Sequence, residues 1–321
     1  MSSHNCSATD YLTLSYPLVT CVKASFTISL NITFGAVMWT TWTSDLVGGT
    51  NLAPVSESFV GDRENAPLPA TGDEQLPLTG ERTVPGIPEE NYWFRRHEVV
   101  YRDLLPRCAG RTVLEAGSGE GYGANMIADV AKRVTGLDYD ISAVEHVRAR
   151  YPRVEMLHGN LAELPLGDAS VDAVVNFQVI EHLWDQAQFL RECFRVLTPG
   201  GELLVSTPNR ITFSPGRDTP LNPFHTRELD ATELTELLEE TGFTVSLMTG
   251  VHHGERLKAL DAKHGGSFIG AQIDRALAGE PWPPELTRDV EGITVDDFVL
   301  REGNIDDSLD LVAVAVKDPV Q

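Results

Sequence analysis

From residue 81 onward, short unbroken apolar runs alternate with stretches in which apolar positions recur every three or four residues. The first rhythm predicts buried strands and the second predicts amphipathic helices. RTVLEAG, RVTGLD, VEMLHGN, VDAVVNF and ELLVST read as five strands. YGANMIADVA, SAVEHVRARY and DQAQFLRECFRVL read as helices between them, the second started by Asp140 or Ser142 and the third closed by the breaker pair in TPGG. DATELTELLEETG is a further helix, with Asp230 as N-cap, Glu233 three residues on and Gly242 as its stop. FTVSLMTG and SLDLVAVAVK are two late strands, which brings the total to seven. Strand and helix in alternation predict an α/β, doubly wound, mainly parallel sheet with helices on both faces. Such a sheet binds its ligand at the carboxyl ends of the strands.

The first 80 residues break this rhythm. YLTLSYPLVTCVKASFTISLNITFGAVMWTTW is rich in Ser, Thr and β-branched residues and nearly uncharged. It has neither the basic start of a signal peptide nor an apolar window free of polar interruptions. It reads as a poorly ordered leader, with a weakly membrane-associating segment as the rival reading. NLAPVSESFVGDRENAPLPATGDEQLPLTG carries Pro, Gly and acids without a period, which is linker composition. The expected organisation is therefore a dispensable leader and linker over 1–78 and one catalytic domain over 79–321.

Composition narrows the function. The chain has 321 residues, 42% of them hydrophobic, and a formal net charge of −22. Nucleic-acid affinity comes mainly from Lys and Arg neutralising phosphates, so a nucleic-acid substrate is disfavoured. The four cysteines, Cys6, Cys21, Cys108 and Cys193, are scattered without a CxxC pair. They read as reduced thiols of a cytoplasmic protein rather than a disulfide framework or zinc site.

The chemistry concentrates in VLEAGSGEGYGANMIA, which follows the first strand. A dinucleotide fingerprint, G-x-G-x-x-G, fails at Tyr122. That speaks against a nicotinamide oxidoreductase, the alternative enzyme on a similar sheet. What stands there is E-x-G-x-G-x-G, with Glu115 ahead of Gly117, Gly119 and Gly121. Glycines let a ligand lie against bare backbone. Glu115 would repel a pyrophosphate and attract an ammonium. Asp138 ends the second strand, where a carboxylate can take both ribose hydroxyls. An adenosine joined to a charged amino acid meets all three features, and S-adenosyl-L-methionine is that ligand.

These residues resemble the class I S-adenosylmethionine-dependent methyltransferases. The resemblance spans roughly residues 79 to 320 and rests on VLEAGSGEGYG, VTGLD, HGNLAELPLGDASVDAVVNFQVIEHLWD and RVLTPGGELLVSTPN. It implies a Rossmann-like sheet whose last strand is antiparallel. It also implies that Gly117 and Gly119 line the methionine part, Asp138 holds the ribose, Asn160 and Leu161 flank the adenine, and Asn176 and Phe177 lie near the methionine. Many relatives carry Asp where this chain has Asn160, which can still meet the adenine amino group through its side-chain oxygen. LTGERTVPGIPEENYWFRRHEVVYRDLL and STPNRITFSPGRDTPLNPFHTREL are similar to actinobacterial methyltransferases associated with methylated glucose polysaccharides. That similarity implies a sugar hydroxyl as acceptor.

A sugar hydroxyl is a poor nucleophile at neutral pH, so a positioned base is expected. His182, after the fourth strand, and His225, after the fifth, are the candidates, with His182 slightly favoured and Glu181 as a carboxylate that could orient the base. Some relatives hold a metal with E-x-x-E-H. Here Gln178 takes the first position, so no metal is expected. NYWFRRHEVVY is expected to form a helix over the cofactor entrance. Trp93 and Phe94 would stack on a sugar, and Arg96 and His97 would meet a carboxylate. His252, His253 and His264 read as surface residues of an insertion that covers the acceptor. The predicted function is thus an O-methyltransferase acting on a saccharide. A lipid, quinone or other small-molecule acceptor is the runner-up, and an inactive cofactor-binding homologue is the non-enzymatic alternative. Neither nucleic-acid nor membrane partners are expected, and the sequence leaves the oligomeric state open.

Overall fold

The computed structural model describes Leu76, residues 82–279 and residues 281–319. The expected leader and linker, apart from Leu76, lie outside the described residues. The chain divides into two compact units, of which the larger, Thr71–Gln272 with Trp282–Gln321, carries the sheet. Of the smaller unit, Ile273–Gly279 and Pro281 are described.

In chain order the described chain runs α1 (Asn91–Cys108), β1 (Thr112–Ala116), α2 (Tyr122–Ile127), β2 (Arg133–Asp138), α3 (Ile141–Arg150), β3 (Glu155–His158) and β4 (Val171–Phe177). It continues with α4 (Gln186–Val196), β5 (Leu197–Pro208), α5 (Arg210–Phe213), α6 (Ala231–Glu240) and β6 (Thr244–His253). Then follow α7 (Glu255–Lys263), α8 (Phe268–Ala278), α9 (Pro284–Glu291), β7 (Phe298–Arg301) and β8 (Asp310–Val316). The strands form one sheet of order β3-β2-β1-β4-β5-β8-β6-β7. Strands β1 to β5 pair in parallel, and β8 runs antiparallel to both β5 and β6.

The central strands are apolar at consecutive positions because both faces are covered. Val113, Ala173, Val175 and Leu204 face one core, with Val100, Leu104 and Ile127. Leu114, Val174, Leu203 and Val205 face the other, with Phe189, Leu190 and Leu234. Successive side chains of a strand point to opposite faces, so one run of Val and Leu feeds two cores.

Three local expectations meet the structure directly. Asp140 caps α3 by accepting from the Ser142 N–H. Asp230 and Glu233 form a complete capping box at α6, an arrangement worth about 1 kcal/mol. The TPGG turn does not sit beyond α4 as a cap; it lies inside β5, where Gly200 adopts φ +81° and donates its N–H to Lys317 O. The sheet also has eight strands rather than seven. The extra strand, β7, is four residues long and pairs antiparallel with β6 from Gly250 to His253. Too short to carry a two-residue alternation, it becomes a strand by adding to an open sheet edge.

Candidate active site

The parallel order of the sheet reverses between β1 and β4, and the loops after β1, β2, β4 and β5 all leave from the carboxyl end there. A crevice of this kind is the binding place of a doubly wound sheet. The glycine loop is pulled against β2: the Gly117 and Ser118 N–H groups both donate to Leu137 O, at 2.8 and 3.1 Å. Gly117 has φ +87°, and a Cβ there would stand 2.7 Å from Val179. Gly121, at φ +90°, is the N-cap of α2.

Asp138 is buried at the end of β2. One carboxylate oxygen accepts the Gly119 N–H at 2.8 Å and the other the Asp140 N–H at 2.9 Å. Each oxygen keeps acceptor capacity, since an ionised carboxylate offers about four lone-pair sites. The residue therefore fixes the loop and can still take ribose hydroxyls.

Glu115 is 1% exposed. Tyr101 of α1 donates to its Oε1 at 2.9 Å, while Oε2 has no partner among the described residues. Burial raises its carboxyl to about 7, against the hydrogen bond from Tyr101. At Gly123 any Cβ would stand 2.2 Å from the Tyr101 ring and 2.4 Å from Glu115 Oε1, so only glycine lets α2 approach this pair. Asn176, fully buried, donates to Ala116 O at 2.8 Å and leaves its Oδ1 without a partner. Arg96 of α1 grips both Asp310 oxygens at 2.6 Å, and its Nη1 is likewise buried without a partner. The orphaned acceptors of Glu115 and Asn176 suit an ammonium, and the orphaned Nη1 of Arg96 suits a carboxylate. The residues present thus fit the methionine end of S-adenosylmethionine.

The adenine-side candidates lie in the loop after β3. Asn160 is exposed, and its Oδ1 accepts the Ala162 N–H at 2.9 Å. That backbone donor fixes the amide orientation; Oδ1 keeps a second lone pair for an amino group, and the NH₂ stays a donor for a ring nitrogen. Leu161 is buried and packs into the core beside α4. Phe177 stacks edge-on against Tyr101 at 4.8 Å and belongs to the opposite core.

Beyond Phe177 the chain bends at Gln178 (φ +58°) into a short 3-10 turn, Ile180–His182. Segment 225–228 clamps that turn. The Thr226 N–H donates to Glu181 O at 2.7 Å and its hydroxyl to Leu183 O at 2.6 Å. Gln186 ties Ile180 O to Arg227 O. Glu181 is buried, accepts the Thr207 hydroxyl at 3.0 Å, and has its carboxyl raised by burial to about 7, with His225 pulling the other way. His182 Nδ1 lies 3.0 Å from Phe224 O. A carbonyl only accepts, so Nδ1 carries the proton and Nε2 the lone pair. Burial, and next the neighbouring His225, lower His182 to about 4. The two histidine rings meet edge to face at 4.8 Å. Glu181, His182 and His225 each bring one atom of the kind that binds metal ions, all within 4.8 Å of one another. The three acceptor-side candidates are thus brought together by the fold.

The aromatic helix forms, but its side chains turn inward. Trp93 packs edge-on against Tyr92, Phe94 against Tyr122, and both are half-buried. Arg96 meets the carboxylate of Asp310, and His97 lies 3.2 Å from the Tyr122 hydroxyl. The three histidines read as surface residues are not free surface groups. His252 is buried on β6 beside Arg301, His253 bridges the Tyr92 hydroxyl and Asp261 at 2.7 Å each, and His264 lies 2.7 Å from Asp289. Strand β6 runs three residues past its apparent end at Gly250, which takes His252 and His253 into the sheet. Sequence reading missed Tyr101, Thr207, Thr226 and Glu228, whose roles depend on long-range contacts. Only Glu228, three residues after His225, had a local signal.

Comparison with known proteins completes the description. Residues 114–205 match a family described as a methyltransferase domain. A probable S-adenosylmethionine-dependent methyltransferase of Mycolicibacterium smegmatis is 70% identical over 80% of this chain and 100% of its own length. A Mycobacterium tuberculosis protein carrying the same description is 64% identical, over 79% of this chain and 94% of its own. Among solved structures, an S-adenosylmethionine-dependent methyltransferase from Mesorhizobium loti superposes with a TM-score of 0.46 at 19% identity, covering 69% of this chain and 97% of that one.

Proposed function

We propose, for a chain that belongs to the S-adenosylmethionine-dependent methyltransferases and uses that cofactor, that its acceptor is a saccharide hydroxyl, methylated on oxygen. The observation that carries the O-methylation is the Glu181–His182–His225 cluster at the carboxyl ends of β4 and β5. A group of proton acceptors has a purpose when the nucleophile is a hydroxyl. The saccharide class rests on the resemblance of the segments around Trp93 and His225 to methyltransferases of methylated glucose polysaccharides.

The cofactor supplies a methyl group on a sulfonium, open to in-line displacement. Glu115 and Asn176 would hold its ammonium, Arg96 its carboxylate, Asp138 its ribose and Asn160 the adenine edge. Of the two histidines, His225 is the better base. His182, pressed down to about 4, is neutral at working pH but a weak proton acceptor. His225 has a buried carboxylate against its other nitrogen, which orients the ring. Glu181 and His182 would orient the acceptor hydroxyl toward it.

Release of S-adenosylhomocysteine over a panel of glucans, mannans, quinols and fatty acids tests the reading. Turnover with the glycans alone is expected. Turnover confined to quinols or lipids would replace it with the runner-up acceptor class, and none with any acceptor would favour an inactive cofactor-binding homologue.

A further inference from the structure

The hydrogen bonds around His225 determine where its proton sits. Asn222 Oδ1 accepts the Phe224 N–H at 3.0 Å, so the amide nitrogen of Asn222 is the group 3.1 Å from His225 Nε2. An amide NH₂ only donates, so Nε2 is the acceptor of a neutral ring and Nδ1 carries the hydrogen. Nδ1 stands 2.6 Å from Glu228 Oε1. The side chains of His225 and Glu228 are 4% and 1% exposed, and Glu228 Oε2 has no partner among the described residues. The carboxylate's one polar contact is therefore the imidazole. Segment 226–229 holds it there, through Thr226 on Glu181 and a bridge between Leu229 and Asn209.

We propose that Glu228 is a positioning residue for the methyl transfer: it holds His225 in the Nδ1–H tautomer and so keeps the Nε2 lone pair for the acceptor hydroxyl. Asn222 occupies that lone pair until the acceptor arrives, and the hydroxyl takes its place. The proton then moves from the hydroxyl oxygen to Nε2 as the oxygen–carbon bond forms and the carbon–sulfur bond breaks, with the electron pair of that bond left on sulfur. This inference rests on the reading of His225 as base, but the tautomer can be observed without turnover.

The test uses the full chain labelled with ¹⁵N-histidine, with Glu228→Gln and Glu228→Asp beside it. The wild-type His225 ring should give the pattern of a single Nδ1–H tautomer. In Glu228→Gln the side-chain amide can donate to Nδ1, so the Nε2–H form should appear, and kcat should fall about tenfold or more while cofactor Kd stays unchanged. Glu228→Asp keeps the carboxylate and should keep the Nδ1–H tautomer, which separates the carboxylate's effect from packing. A ring that stays wholly Nδ1–H in Glu228→Gln, or one that is Nε2–H in the wild type, overturns the inference. A shifted tautomer with turnover intact in both Glu228→Gln and His225→Ala overturns His225 as base and leaves the hold on the ring standing.

Discussion

Glu115→Gln should change stability and cofactor affinity in opposite directions. The side chain is 1% exposed, and burial has raised its carboxyl from 4.5 to about 7. A raised carboxyl pKa means that the free protein loses stability as pH climbs from about 4.5 to about 7, because the ionised form is the poorly solvated one. A shift of this size corresponds to up to about 3 kcal/mol at pH 8, and glutamine removes it while still accepting from Tyr101. The free variant should therefore melt higher than wild type at pH 8, and the gap should close as pH falls below about 4. Cofactor binding reverses the sign. The ammonium favours the carboxylate, so glutamine forfeits a hydrogen bond to a charged group, about 1.5–3 kcal/mol or roughly 10- to 150-fold in Kd. Wild-type affinity should rise about fivefold between pH 6 and pH 7 as Glu115 ionises, stay level to pH 8, and then fall as the cofactor's own amine, near 8, loses its proton. Calorimetry at pH 6, 7 and 8 with thermal melts of the free proteins reads both effects. A variant that binds as tightly as wild type at pH 8, or a wild type whose affinity ignores pH, would refute the assignment of Glu115 to the ammonium.

Asp138→Ala should weaken the cofactor by about 1.5–3 kcal/mol in the same calorimeter, and undiminished binding would remove the residue from the ribose site. His225→Ala should cut turnover at least about a hundredfold with cofactor affinity unchanged; a larger loss in His182→Ala would return the role of base to His182. Gly123→Ala forces a Cβ to 2.2 Å from the Tyr101 ring and should cost about 1–3 kcal/mol in denaturant unfolding, a loss that Tyr101→Leu should partly relieve. Turnover should survive EDTA, because Gln178 stands where metal-binding relatives place a carboxylate; loss on chelation with recovery on adding back a divalent ion would make Glu181, His182 and His225 a metal site.

What the sequence reveals follows the range of the interactions. Strands β2 and β4 coincide with their apolar runs because both faces are buried, and the α6 capping box is local chemistry between Asp230 and Glu233. The insertion was not legible. Strand β7 exists through its pairing with β6, and the burial of His252 follows from the same pairing. The aromatic helix was legible as a helix but not in its facing. Trp93 looks like a sugar platform until it is seen packed on Tyr92, and Arg96 meets Asp310, 214 positions away, through Nε and Nη2, which leaves only Nη1 for a ligand. Glu181, His182 and His225 were nameable from the ends of β4 and β5. The choice between the two histidines was not, because it turns on burial and the neighbouring ring at His182 and on Glu228 against His225.

The central claim, methyl transfer to a sugar oxygen, is tested most directly by giving the protein S-adenosylmethionine carrying a ¹³C methyl group together with the glucan that supports turnover. The labelled methyl should then be located by NMR. A single ¹³CH₃ ether on one sugar position, absent with His225→Ala, is the predicted result. Label on nitrogen, on carbon or on a co-purifying lipid or quinol, with the glucan unmodified, would contradict the claim.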